Sequence, residues 1–110
     1  MSRIKAVALT LACVLLAGTA IAAVENSAST QAYMDAMEKM HQSMMIEYTG
    51  DADVDFVRGM IPHHQGAIAM AEVELKYGKD PDIRKLAEGI INAQKGEIEM
   101  MQNWLKTRGK

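Results

Sequence analysis

From Asp80 onward, apolar side chains return every three or four positions, which is the repeat of a single helix face. Ile83, Leu86, Ala87, Ile90, Ile91, Ile98, Met101, Trp104 and Leu105 form the stripe. It opens with the clearest helix start in the chain: Asp80 as N-cap, Pro81 at the first helical position and Asp82 in the first turn. The spacing predicts a helix from Pro81 to about Lys106, and a stripe that broad needs other elements to cover it. No segment alternates apolar and polar residues as a half-buried strand does, and no repeat or low-complexity tract interrupts the chain. The fold class read from this pattern is all-α.

Two further helices precede it. The first is expected from about Thr30 to Tyr48, capped by Ser27, Ser29 or Thr30 and stopped by Gly50. "GDADVD" follows as a turn in which Asp51 or Asp53 can cap a second helix, from about Val54 to Tyr77, that ends at Gly78. Pro62 lies inside this second helix and removes one backbone donor, so a kink or a division into two segments is expected there. The architecture implied is an antiparallel up-down bundle of three main helices, which a homodimer could complete into a larger one.

The first residues read differently. "MSRIK" is basic, "AVALTLACVLLAG" is an apolar core too short to span a membrane comfortably, and Ala20-Ile21-Ala22 offers an A-x-A cleavage pattern. This is the make-up of a secretory signal peptide over residues 1–22, cleaved after Ala22 or one residue later. Residues 23–29, "AVENSAS", read as a flexible leader, and residues 30–110 as one helical domain. The single cysteine, Cys13, falls within the signal segment, so the mature chain is expected to carry no thiol and to work in a bacterial periplasm or outside the cell. Its 88 residues suffice for one small domain with a thin core. Without Arg3 and Lys5, ten basic residues face 14 acidic ones, a formal charge of −4. Nothing here suggests a nucleic-acid partner, and after cleavage nothing is apolar enough to span a membrane.

One compositional anomaly carries chemistry. Of the ten methionines, nine lie beyond the signal segment, against three tyrosines, one phenylalanine and one tryptophan in the whole chain. Methionine normally fills gaps in cores as a minority residue. On the first helix it makes a face, Met34, Met37, Met40, Met44 and Met45 with His41, Tyr33 and Tyr48. Ile46 is the only branched aliphatic there and points elsewhere. The second helix carries an aliphatic strip of Val57, Ile61, Ile68 and Leu75, and beside it a strip of Phe56, Met60, His63, His64, Ala67, Met70, Ala71 and Glu74. All three histidines thus sit on Met-rich faces, whereas the third helix uses ordinary aliphatics. Thioethers are soft, neutral ligands that need no deprotonation and suit Cu(I) or Ag(I); imidazole binds copper in either oxidation state. Residues three, four and seven apart share a helix face. Met60 precedes His63 by three and His64 by four, Met70 follows His63 by seven, and Met37 and Met44 flank His41. Ala67 and Ala71 are small enough for a partner helix to approach. Glu74 could fix the tautomer of a ligating histidine.

"DFVRGMIPHHQGAIAMAEVEL" and "IRKLAEGIINAQKGEIEMMQNWL" together resemble the CopM-like family of small exported helical proteins, long listed as a domain of unknown function. The resemblance covers about Val54 to Leu105. It is carried by the Met-Ile-Pro-His-His segment with its downstream Met70, and by the Gln-x-x-Glu-Ile-x-x-Met block. It implies a ferritin-like bundle linked to copper binding and copper tolerance, and implicates Met60, His63, His64, Met70, Gln94, Glu97 and Met101. The first helix matches the family more loosely, so Met37, Met40, His41 and Met44 rest on ligand chemistry alone.

The function expected is therefore sequestration or transfer of Cu(I), with Cu(II) or Ag(I) as alternatives, the partners being the metal ion and a copper-accepting protein. No catalytic apparatus is required, and the chain offers no nucleophile–base arrangement or phosphate-binding glycine loop. Two other readings use the same residues. One is a Met-rich interaction module that takes partner helices without metal. The other is a ferritin-like metal oxidase, for which Glu38 and His41 supply one Glu-x-x-His pair where a di-iron site wants two.

Overall fold

The computed structural model describes residues 27–110. The expected signal peptide and residues 23–26 of the expected leader lie outside the described residues. Three helices follow one another: α1 over Ala28–Ser43, α2 over Ala52–Tyr77 and α3 over Pro81–Thr107. Among the described residues there is no strand, and no helix is long and apolar enough to cross a membrane.

Each helix starts on a side-chain oxygen that takes up free N–H groups of the first turn. Ser27 accepts from the Thr30 N–H at 3.2 Å and also meets the Thr30 hydroxyl at 2.6 Å. The helix therefore begins within the segment expected to be a leader, two residues before Thr30. Asp51 accepts from the N–H groups of Asp53 and Val54 at 3.0 and 3.2 Å. Asp80 does the same for Asp82 and Ile83 at 2.9 and 3.2 Å, with Pro81 at the first position.

One expectation needs correction. The first helix ends at Ser43 and does not continue to Tyr48. Its last regular bond runs from the Met44 N–H to the Met40 carbonyl at 2.9 Å, after which the chain extends. Continued as a helix, Ile46 would point away from the rest of the molecule. Released from it, Ile46 turns back and lies 3.9 Å from the position a Cβ on Gly59 would take. The far end of the connection is held by Asp55, whose carboxylate accepts from the Thr49 N–H and hydroxyl, both at 2.8 Å, and from the Gly50 N–H at 3.2 Å. Gly50 has φ +89°, a left-handed conformation open to glycine at little cost. At Pro62 α2 is not divided and continues as one helix. Its ring is buried on the α1 side, so packing offsets the lost backbone bond.

Neighbouring helices run antiparallel. Arg84 near the start of α3 donates to the carbonyls of Leu75 and Gly78 at the end of α2, at 2.7 and 3.1 Å, and closes that hairpin. α2 packs against both other helices, and α1 and α3 make no close backbone approach to each other. The reason lies in how α2 divides its surface. Gly59, Pro62, Gly66 and Ala69 lie toward α1, while Val57, His64 and Ala71 lie toward α3. At about 100° per residue these are nearly opposite edges of one helix. The three helices therefore form a single layer with α2 in the middle. One face is polar, with Lys39 of α1, Gln65, Glu72 and Lys76 of α2, and Lys85, Glu88 and Lys95 of α3 in solvent. The other is the Phe56, Met60, His63, Ala67, Met70 strip of α2 with its flanks. The core is thin. Val54, Val57, Ala71, Ala87 and Met101 are its buried apolar residues, and α1 buries none.

Candidate metal centre

The antiparallel crossing of α1 over α2 brings the end of α1 to the beginning of α2. Met44, just past the last turn of α1, shares a hollow with Met60 and His63 of α2. Ile46, Tyr48, Asp55, Phe56 and Gly59 complete its walls. Two thioethers and an imidazole from two segments thus line one space, which joins the two Met/His faces expected from the sequence. The Asp55 carboxylate adds a fixed negative charge. The Thr49 N–H is the main cause holding its pKa below the usual carboxylate value; partial desolvation opposes this, and the Thr49 hydroxyl, the Gly50 N–H and Arg58 reinforce it.

His64 points the other way. Its Nε2 meets the Glu97 carboxylate of α3, while the ring of His63 stands 6.2 Å off at 59°. Adjacent residues on a helix diverge by about 100°, which is why the two imidazoles serve different neighbours. Nδ1 of His64 and Oε1 of Gln94 are both buried at this α2–α3 junction without a hydrogen-bond partner in the protein. One turn further along each helix, Met60 and the buried Met101 stand level with each other. With Glu97 fixing Nε2–H, the Nδ1 lone pair would be the free donor of that ring.

The other expected ligands are dispersed. Met37 and His41 lie with Tyr33, Met34 and Glu38 on a shallow outward surface of α1. Met40 is a packing residue: its Cγ and Cβ lie 2.6 and 3.1 Å from where a Cβ on Gly66 would stand, and its sulfur is closer still. Met70 is in an apolar groove with Tyr33, Ala67, Ala71, Ile83 and Leu86, two turns from His63. Glu74 folds its carboxylate against Gly78 at the end of α2, about 15 Å of helix from His64, so Glu97 and not Glu74 meets a histidine. Among the described residues, no three His, Cys, Asp or Glu side chains gather as a metal site.

Two contributors were not singled out in the sequence. Asp55 looked like one more residue of an acidic turn. Gly66 carried a usable signal: glycine in a helix interior costs about 1 kcal/mol against alanine, so its place there calls for a packing reason.

Comparison with known proteins gives a relative and a family. A 56-residue stretch is 43% identical to "Uncharacterized protein L153" of Acanthamoeba polyphaga mimivirus, covering 51% of this chain and 37% of the viral protein. The family described as "Domain of unknown function (DUF305)" matches residues 17–105, nearly the whole of the helical layer and part of what precedes it; the chain belongs to this family.

Proposed function

We propose that the protein binds Cu(I), or Ag(I) in its place, in the hollow formed by Met44, Met60 and His63, and that it sequesters the ion or passes it on outside the cytoplasm. The convergence of these three donors from two segments is the observation that carries the reading. The donor set fits the cargo: two neutral sulfurs and one imidazole suit a soft monovalent cation and offer little to Mg²⁺ or Ca²⁺. The ionised Asp55 beside them favours a cation without having to ligate it. Thioethers are not lost to disulfide formation, which suits an oxidising compartment, and an ion held by few protein ligands in an open hollow is accessible to an acceptor protein. The resemblance to the CopM-like family supports the same cargo. On this reading His64 with Glu97 is a supporting pair that holds α2 to α3 behind the site.

A competition titration against a chromophoric Cu(I) chelator, under reducing conditions, tests it. The protein is expected to withdraw copper at micromolar concentration. Met60→Leu and His63→Ala should each weaken this at least about tenfold, and Met37→Leu should leave it nearly unchanged. A protein that leaves the chelator's copper untouched ends the proposal, and equal losses from all three variants would move the site away from this hollow. The oxidase alternative has less support: Glu38 and His41 share an outward surface of α1, away from the carboxylates of α2 and α3.

A further inference from the structure

The face of the layer that carries Met60 and His63 also leaves large apolar side chains in water on all three helices. Met34, Met37 and Met44 contribute from the α1 side, Phe56 and Met70 from α2, and Ile83 and Leu86 from α3. Phe56 and Leu86 keep 62% and 58% of their surface exposed. Monomeric proteins rarely leave a contiguous patch beyond a few hundred Å² uncovered. Seven such side chains, each roughly half exposed, amount to on the order of 700 Å², against about 800 Å² per partner in a standard stable interface. The interior shows the matching deficit, since no large side chain is fully enclosed anywhere among the described residues. Helices that bury only their edges against neighbours in one layer lack what stable domains have, a second layer over the first.

We propose that a second copy of this chain supplies that layer, the two apolar faces stacking about a two-fold axis. Self-association suits this surface because a two-fold contact sets the same patch against itself. The patch is mostly methionine, phenylalanine, isoleucine, leucine, tyrosine and alanine, with Glu74 beside Met70 and Asp55 beside Phe56 as its charged groups. Lys85, Glu88 and Lys95 project from the opposite face, and Glu97 is engaged with His64. Met60 and His63 belong to the covered face, and Met44 and Phe56 of the same hollow are part of the patch, so pairing would bring the proposed copper site into the interface. The pairing itself needs no metal.

Sedimentation equilibrium on the purified, chelator-treated protein from about 1 to 200 μM tests the proposal, with thermal melts over the same range. A mass of two chains and a Tm that rises with protein concentration are expected. Ile83→Glu with Leu86→Glu, at the start of α3 where acidic residues favour the helix, should weaken association about 30-fold or more. A single-chain mass throughout, with a Tm independent of concentration, overturns the proposal and leaves the face to another segment or another protein. A series of ever larger species overturns the two-fold arrangement. Should the double variant not fold, the concentration dependence of the unaltered protein decides. Because metal is absent, failure here leaves the copper proposal standing, and the reverse holds too.

Discussion

Gly66 and Met40 show how one missing methyl group sets the spacing of two helices. Met40 occupies the volume a side chain at position 66 would need, and its Cβ, which has little freedom to move, is one of the atoms in the way. Gly66→Ala should therefore lift α1 from α2 and lower stability by about 1–3 kcal/mol. Gly96→Ala, where a Cβ meets open space in the middle of α3, should raise it by about 0.5–1 kcal/mol. Thermal melts of the two variants would settle the contrast, and equal shifts would mean that the packing at Gly66 is relaxed. Asp55 gives a second prediction. A carboxyl whose pKa is lower folded than unfolded adds stability that is complete above the unfolded value and lost as pH falls through the folded one. The Tm difference between the protein and Asp55→Ala should hold near neutrality and close as pH drops below the usual carboxylate range. A gap unchanged from pH 6 to pH 2 would rule out the charge as its source. Faces can be read from spacing alone, and of the two histidines spaced to share a face with Met60, His63 is the one that lines a hollow with it. Spacing along one helix does not say which residue of another helix lies opposite, so Glu97 and Glu74 could not be ranked as partners of His64.

For the helices, starts were more legible than stops. Asp51, Asp80 and Pro81 act through residues adjacent in sequence, and the structure uses them as expected. The end of α1 depends on Ile46 reaching Gly59 and on Asp55 reaching Thr49 and Gly50, contacts across a turn that local propensity does not encode. Pro62 leaves two outcomes open, a kink or a division, and the continuous helix with its ring buried toward α1 removes the second. α1 is also the least secured element. It buries no residue and its backbone comes close only to α2, whereas α3 is tied to α2 by Arg84 and by Glu97. Hydrogen exchange should accordingly find the α1 amides opening well before those in the middle of α2 and α3. Uniform protection across the three helices would contradict this, and at dimer-forming concentrations it would indicate that the second layer clamps α1.

At the scale of the molecule, an all-α bundle was readable because periodicity, caps and short connections agreed. Its flatness was not. The strip from Phe56 to Glu74 was visible as a second face of α2, but nothing in a single helix shows that its neighbours take the two flanks and leave that face bare. The candidate site inherits this: Met60 and His63 share a face by spacing, but that Met44 lies across from them depends on how α1 crosses α2. The methionine seated at Gly66 carries one more consequence. Sulfur that attracts soft cations is also the atom most readily converted to a sulfoxide, which is larger and polar. The Met40 sulfur lies against Gly66 at the seam of α1 and α2, so the added oxygen would put a polar group into that packing contact. An oxidant reaching Met40 would thus unlatch the N-terminal helix, coupling the chain's architecture to the redox conditions of its surroundings.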